Sequence, residues 1–351
     1  MSLFDDILPS GQSLIKNEAA LDYEFLPKIL PFRESEQQYL ATCIKPLFQQ
    51  RSGRNLVIHG PPGIGKTAAT KHVLRELEEQ TDAIEIIYVN CWKANSTFKV
   101  LCEIAEQVGY KFTQNKKTTE LFKIVANIVN KSSAVFVFDE IDKAEDFDFL
   151  YFILEEVYKK AVFLITNYMS WSLNLDERIK SRLMAELVQF RQYTDTETAQ
   201  ILKGRAGYAF PEGIWEQDAF DAVCRKAAQV KDIRSGLFLM KESALLAEEK
   251  SLKKISMEQV ERAIRKLDEF TVKDKADLEE ELKFILQIVK GNSGKRIGDL
   301  FRLYQKEGGK VSYKTFQRKI ASLEESKFIS TEKQTGSEGN TTIVNKSLSD
   351  Y

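Results

Sequence analysis

The sequence predicts an α/β domain with a parallel sheet, then a small all-helical domain and a carboxyl-terminal winged helix-turn-helix. Three observations lead to this prediction. A phosphate-binding loop motif joins an apolar strand to a helix, strands alternate with helices over residues 55–190, and the last part holds three helices and a hairpin. Strands that alternate with helices form parallel sheets with helices on both faces. We therefore expect domains at residues 1–193, 194–270 and 278–351.

The stretch NLVIHGPPGIGKTAAT, residues 55–70, organises the first domain. It carries G-x-x-x-x-G-K-T, the spacing of a phosphate-binding loop between a strand and a helix. Glycines let successive backbone N–H groups curve around a phosphate, and the positive end of the following helix favours an anion. Lys66 adds a mobile charge for the outer phosphates. The residues expected to bind ATP or ADP are Gly60, Pro61, Pro62, Gly63, Ile64, Gly65, Lys66, Thr67 and Ala68.

A second motif, AVFVFDEID, lies at residues 134–142. Its apolar run continues directly into Asp139 and Glu140, as in a buried parallel strand that ends at a ligand site. Two acids in this position could also be a polar strand terminus, but the phosphate loop makes a nucleotide role the stronger interpretation. We expect Thr67 and Asp139 to hold Mg²⁺, and Glu140 to polarise the attacking water.

The remaining elements follow from hydrophobic periodicity and from helix caps. In the first domain we predict a helix at 35–48, strands at 84–90, 161–166 and 186–190, and helices at 96–108, 119–130 and 149–158. The second domain has predicted helices at 196–205, 218–229, 232–249 and 256–267, followed by a charged joint at 268–277. The third has predicted helices at 278–290, 296–306 and 312–325, and then the hairpin FISTEK, QTGSEGN, TTIVNK.

Composition excludes several classes of function. The 351 residues carry 51 Lys and Arg against 52 Asp and Glu, so any basic surface must be local. The four cysteines form no C-x-x-C pair and there are two histidines, which argues against a zinc site, a disulfide framework and most Ser-His or Cys-His chemistry. No apolar run approaches the roughly 18 residues of a membrane span, and no signal pattern is present at the amino terminus. We expect a cytoplasmic protein without a membrane partner.

Over nearly its whole length the sequence resembles the AAA+ replication initiators of archaea. These proteins are related to the largest subunit of the eukaryotic origin recognition complex and to the eukaryotic helicase-loading factor. The segments that carry the resemblance are FLPKILPFRESE, GPPGIGKT, YVNCWKANSTFKVLCEIAEQVG, FVFDEIDK, LITNYMSWSLNLDERIKSRL, FRQYTDTETAQIL, KDIRSGLFLM and the winged helix. The resemblance implies an AAA+ P-loop NTPase domain with a helical lid, and slow Mg²⁺-dependent ATP hydrolysis used as a switch.

The resemblance also implies roles for individual residues. Asn167 is similar to the sensor that orients the attacking water, and Arg234 to a lid arginine that reaches the γ-phosphate. Arg182 is similar to an arginine finger offered to a neighbouring subunit, with Arg178 as the alternative. Tyr193 and Ile201, with the region of Pro27 and Arg33, are similar to the adenine pocket.

The carboxyl-terminal part is the candidate DNA-binding region. From Leu282 to the end there are 13 Lys and Arg against 7 Asp and Glu, an excess that favours phosphate contact. In the helix at 312–325, Lys314, Gln317 and Arg318 lie off the apolar face and are expected to reach the major groove, unless they only solubilise the helix. Lys333, beside the wing, is a further expected contact. The segment between Trp92 and Thr119 offers a second contact, and Trp92 belongs either to it or to the core.

The leading functional interpretation is an initiator that binds double-stranded origin DNA and recruits or loads the replicative helicase. Paralogous initiators or further copies on DNA would be its other partners, in the nucleoid of an archaeal cell. One alternative is a DNA-binding AAA+ regulator in which nucleotide only switches the conformation. Another is a clamp-loader-like or mobile-element ATPase. Specific helicase binding separates the first interpretation from the second, and stable rings or filaments without DNA would favour the third.

Overall fold

The structure is a computed structural model, and it describes residues 13–168, 171, 175–276, 280–309, 311–325, 328–336 and 339–346. The chain divides into two compact units between Arg265 and Lys266. The α/β part and most of the helical part, which the sequence analysis treats as two domains, lie together in the first unit. Within the described ranges, no helix combines the length and the apolar character that crossing a bilayer requires.

A five-stranded sheet forms the centre of the first unit, and all its strands run parallel, as predicted. Its strands are β1 (Leu56–His59), β2 (Ile84–Asn90), β3 (Ser133–Asp139), β4 (Lys160–Thr166) and β5 (Glu186–Gln189). Their order across the sheet is β2-β3-β4-β1-β5. Every residue of β3 is buried, because helices cover the sheet on both faces.

Successive side chains of a strand point to opposite faces, so the sheet has two separate cores. Val135 and Val137 face the first core, with α1 (Glu34–Ile44) and α2 (Lys66–Gln80). Phe136 and Phe138 face the second core and its four helices. These are α3 (Thr97–Gln107), α4 (Thr118–Val129), α5 (Asp148–Glu156) and α6 (Glu177–Leu183). The helix α6 was not predicted, since it is short and buries only Ile179 and Leu183.

The four helices predicted after the sheet are present, and they are α7 (Asp195–Ala209), α8 (Gln217–Val230), α9 (Ile233–Glu249) and α10 (Met257–Ala276). A capping box opens α7, in which Thr194 and Glu197 satisfy each other's backbone N–H groups. The predicted charged joint differs from the structure, because α10 continues through it to Ala276. The joint sequence, residues 268–277, contains no Gly or Pro, and its Glu, Lys and Ala residues favour a helix.

The second unit has the winged helix-turn-helix pattern of three helices and a hairpin. Its elements are α11 (Glu280–Gly291), β6 (Lys295–Arg296), α12 (Ile297–Lys306), α13 (Tyr313–Glu325), β7 (Ile329–Gly336) and β8 (Gly339–Lys346). The strands pair antiparallel in the order β6-β8-β7. Its core includes Tyr304 of α12 together with Phe316, Ile320 and Leu323, which are the residues of the predicted apolar face of α13. Residues 337–338 of the predicted turn lie outside the described residues.

Candidate functional site

Three strands of the sheet lead into one cavity of about 380 Å³. β1 continues into the phosphate loop, β3 ends at Asp139 and β4 is followed by Asn167. The carboxyl ends of parallel strands are the usual ligand-binding edge of an open α/β sheet. The cavity thus joins the two sequence motifs that were predicted separately. Its lining includes Pro62, Gly63, Ile64, Gly65, Lys66, Thr67, Ala68, Asp139, Glu140, Asn167, Tyr193, Ile201 and Arg234.

Two glycines of the loop are required by its close packing against other elements. Gly63 has φ +75°, and a Cβ atom there would lie 2.2 Å from Oδ1 of Asp232, the residue before α9. Gly65 has φ +87°, and its Cβ would lie 2.8 Å from the hydroxyl of Tyr193. A side chain at either position would meet both an unfavourable backbone conformation and a steric overlap. The loop is therefore shaped by the helical part as well as by its own sequence.

Lys66 is buried beneath this loop, with 6% of its surface exposed. Its Nζ donates to the carbonyl oxygens of Gly60 (2.7 Å) and Pro61 (2.8 Å) and to Oδ1 of Asn167 (2.8 Å). Burial lowers the pKa of Lys66 to about 8. All three acceptors are uncharged oxygens. A buried ammonium with neutral partners, at a helix amino terminus, fits the phosphates of a nucleotide.

The carboxylate of Asp139 receives donors on both of its oxygens. Oδ2 accepts from the Thr67 hydroxyl (2.7 Å) and from the Tyr88 hydroxyl (2.5 Å), and Oδ1 accepts from the backbone N–H of Glu140 (2.9 Å). Burial and the charge of Asp139 raise the pKa of the Tyr88 phenol, so it stays a donor. Hydroxyl and carboxylate oxygens are ligands that Mg²⁺ prefers, and Thr67 and Asp139 therefore fit this ion.

Glu140 is half-buried and lies next to this carboxylate, with a left-handed φ of 54°. Burial is the main cause that raises the pKa of Glu140, and the nearby charges of Asp139 and Asp142 add to it. A carboxylate with a raised pKa is a better base for water than an exposed one. The backbone conformation is unusual for a side-chain-bearing residue, and strained positions of this kind cluster at functional sites.

The amino-terminal leader, residues 22–33 before α1, also contributes to the cavity lining, and so do Tyr193 and Ile201. Arg205 of α7 holds the leader in place, because its guanidinium donates to the carbonyl oxygens of Asp22 (2.6 Å) and Phe25 (2.7 Å). Arg205 was not among the predicted site residues. An arginine on a helix gives no signal in the sequence that it is buried against a distant segment.

Arg33 is fully buried and contacts the phosphate loop. Its Nη2 donates to the carbonyl oxygens of Ile64 (3.0 Å) and Arg191 (2.6 Å), and its guanidinium lies 4.0 Å from the centre of the Tyr193 ring. From the family resemblance, the region of Arg33 was predicted to belong to the adenine pocket. Pro27 does line the cavity, whereas Arg33 supports the loop from behind.

The three candidate arginines occupy different environments. Arg234 lines the cavity, and its Nη2 lies 2.8 Å from Oδ2 of Asp232. Arg182 and Arg178 lie on α6, outside the cavity lining. Arg182 pairs with Glu155, and Arg178 lies 3.0 Å from Asp176.

The candidate DNA-contacting residues of α13 are exposed. Lys314, Gln317 and Arg318 are exposed to solvent, whereas Phe316 of the same helix is buried. Lys333 belongs to β7, and its side chain lies outside the described residues. In the first unit, 65% of the Trp92 surface is exposed, which excludes its assignment to the core.

Comparisons with known proteins agree with this architecture. A family model described as an AAA domain matches residues 49–168, and one described as the Cdc6 AAA+ ATPase-type lid domain matches residues 199–265. ORC1-type DNA replication protein 1 of Archaeoglobus fulgidus is 29% identical over 344 residues, which are 92% of this chain and 84% of that protein.

Two solved structures from Aeropyrum pernix have the same fold. The ORC1 protein in complex with DNA superposes with a TM-score of 0.71 at 25% identity, over 95% of this chain and 94% of that one. The ORC2 protein in its ADPNP and ADP complexes superposes with a TM-score of 0.65 at 17% identity, again over 95% and 94% of the two chains. The likeness of fold therefore extends over both units of the chain.

Proposed function

Because this chain is an AAA+ protein related to the archaeal ORC1-type DNA replication proteins, we propose that it is an ATP-dependent initiator of DNA replication. In this role it binds double-stranded origin DNA and helps to recruit or load the replicative helicase. The observation that carries the proposal is the convergence of Lys66, Asp139, Asn167 and Arg234 on one cavity, in a chain that also has a winged helix. We also propose that the protein is cytoplasmic, that it is found at the nucleoid, and that it associates on DNA with paralogous initiators or with further copies of itself.

ATP and Mg²⁺ are the ligands that the cavity would take. On this proposal the loop N–H groups and Lys66 bind the phosphates, Thr67 and Asp139 hold the metal ion, and Tyr193 and Ile201 contact the base. The metal ion would neutralise charge on the outer phosphates. Glu140 polarises the attacking water and Asn167 orients it. In this proposal the site positions the nucleotide, the metal ion and the water, and it hydrolyses ATP slowly, as suits a switch.

Calorimetric ATP titration and single-turnover hydrolysis of two variants test the nucleotide site. Lys66→Ala should lose measurable ATP binding, because the buried ammonium is the main charge facing the phosphates. Glu140→Gln should keep ATP binding but lose hydrolysis, because only the water-polarising group is removed. Lys45→Ala is the matched control, since this exposed lysine lies outside the cavity. Equal ATP affinity in the wild type and in Lys66→Ala would overturn the site.

A genome-wide footprint in the presence of ATP tests the initiator role. Protection of repeated sites, with one set beside the gene of the protein, is the expected result. Copurification of the replicative helicase with the DNA-bound protein would support the loading role. Specific DNA binding without any helicase association would instead favour a DNA-binding regulator, and stable rings or filaments without DNA would favour a clamp-loader-like or mobile-element ATPase.

A further inference from the structure

Tyr88 is a cavity residue to which neither sequence motif assigns a role. It lies on β2, whose register pairs Tyr88 with Val137 and Asn90 with Asp139. Because side chains two residues apart along a strand share a face, Tyr88 points to the same side of the sheet as Asp139. The ring is partly buried at the cavity wall, and Nζ of Lys71 lies 4.8 Å from its centre.

The hydroxyl of Tyr88 makes a short hydrogen bond of 2.5 Å to Oδ2 of Asp139. The other two donors to this carboxylate are Thr67, at 2.7 Å on the same oxygen, and the backbone N–H of Glu140, at 2.9 Å on Oδ1. The Glu140 N–H is fixed by the backbone. Thr67 is itself an expected ligand of the metal ion, so its hydroxyl is expected to contact both the ion and Asp139. The hydroxyl of Tyr88 is not an expected metal ligand, and it can therefore donate to Asp139 without such a second contact.

We propose that Tyr88 is a positioning residue that fixes the orientation of the Asp139 carboxylate for Mg²⁺. This inference rests on the proposed Mg²⁺-dependent nucleotide site. Donors that orient a ligating carboxylate contribute to metal affinity although they do not touch the metal ion. A single hydrogen bond from a rigid ring on β2 restricts rotation of the carboxylate, because charge-assisted bonds of this kind are short and strong.

The variant Tyr88→Phe in the full chain removes only the hydroxyl. Binding of a fluorescent ATP analogue is measured in EDTA and across a Mg²⁺ titration. The Mg²⁺ concentration that gives half of the affinity gain should rise at least ~10-fold, as for other partners of metal ligands. Affinity in EDTA should stay within about two-fold of the wild type, because the phosphate loop and Lys66 are unchanged.

Tyr39→Phe is the matched control. Tyr39 of α1 also donates its hydroxyl to a carboxylate, that of Glu186, but it lies outside the cavity. Its loss should leave both the EDTA and the Mg²⁺ measurements unchanged. In an Asp139→Asn background, Tyr88→Phe should add less than about two-fold to the Mg²⁺ requirement, because the group that it orients no longer carries a charge.

The outcomes separate the two proposals. If the nucleotide affinity of the wild type is independent of Mg²⁺, the metal role of Asp139 is wrong and the Tyr88 proposal falls with it. If the wild type requires Mg²⁺ and Tyr88→Phe requires the same concentration, only the Tyr88 proposal is overturned. If the nucleotide affinity of Tyr88→Phe falls equally in EDTA and in Mg²⁺, Tyr88 has a structural role, and this result also overturns the proposal.

Discussion

Nζ of Lys66 and Oδ1 of Asn167 lie 2.8 Å apart, so the phosphate loop and the end of β4 are joined directly across the cavity. One partner is expected to contact phosphate and the other to orient water. The bond therefore holds the group expected to bind phosphate and the group expected to orient water at a fixed separation. Such preorganisation lowers the cost of aligning the reacting groups.

Asn167→Ala should separate binding from hydrolysis. ATP affinity should change little, because Lys66 keeps its two carbonyl partners, whereas single-turnover hydrolysis should fall about 10²-fold, as when one oriented polar group is removed from an active site. Asn90→Ala is the control, since Asn90 also lines the cavity but caps the turn at Trp92. Hydrolysis at the wild-type rate in Asn167→Ala would remove this residue from the mechanism.

Arg182 should act on a neighbouring subunit. It lies on α6 outside the cavity lining, and arginines that act in trans can contribute roughly 10³ to 10⁵ in rate where turnover is fast. Arg182→Ala mixed with Glu140→Gln should therefore regain part of the hydrolysis that each lacks alone. Arg178→Ala in the same mixture tests the alternative arginine. If associated mixtures show no recovery with either variant, the arginines of α6 act within their own subunit or only in folding.

Glu197 should stabilise the start of α7 in a pH-dependent way. Hydrogen bonds from Arg191 and Thr194 lower the pKa of Glu197 to about 2. Because the folded-state pKa is below the ordinary value of 4.5, this stabilisation is complete above pH 4.5 and is lost as the pH falls towards 2. Glu197→Gln should lower the free energy of unfolding at pH 7 by about 1 kcal/mol.

Urea unfolding of the wild type and of Glu197→Gln at pH 7, 4 and 3 measures this effect. The difference between the two proteins should shrink as the pH falls below 4.5, because the unfolded wild-type chain takes up a proton on Glu197 before the folded protein does. A difference that stays constant from pH 7 to pH 3 would show that shape, and not charge, makes Glu197 stabilising.

The winged helix should carry sequence recognition. Arg318→Ala, if Arg318 meets a base edge, should cost about 1 to 3 kcal/mol at the cognate site and little on random DNA. Lys333→Ala should instead weaken binding to all DNA alike and reduce the salt slope by about one unit, as expected for one lost phosphate contact. Titrations of cognate and scrambled duplexes at several salt concentrations give both quantities. If specific binding is unchanged after residues 278–351 are removed, the winged helix does not carry sequence recognition. The segment between Trp92 and Thr119 would then be the candidate DNA contact.

Elements whose signals are local could be predicted from the sequence alone. Short stretches of sequence predict the phosphate loop, the acidic end of β3 and the apolar face of α13. This is possible because a turn, a buried strand and an amphipathic helix each depend on residues that are close in sequence. The parallel sheet followed from the alternation of strands and helices. The limits of α10 and the existence of α6 were harder to predict. The run of charged residues near the end of α10 is compatible with either a joint or the surface of a helix. The helix α6 has seven residues, too few to show a clear periodicity.

Contacts between side chains that are distant in sequence depend on the three-dimensional packing of the elements. Sheet order and register bring Tyr88 to Asp139, and the packing of the leader brings Arg33 to Ile64 and Arg205 to Asp22. No periodicity in a single sequence encodes such pairs, since each depends on how separate elements are placed in space. A tyrosine in a strand, or an arginine on a helix, looks the same in sequence whether it meets solvent or a carboxylate. Its role becomes visible only when the neighbouring strand or segment lies beside it.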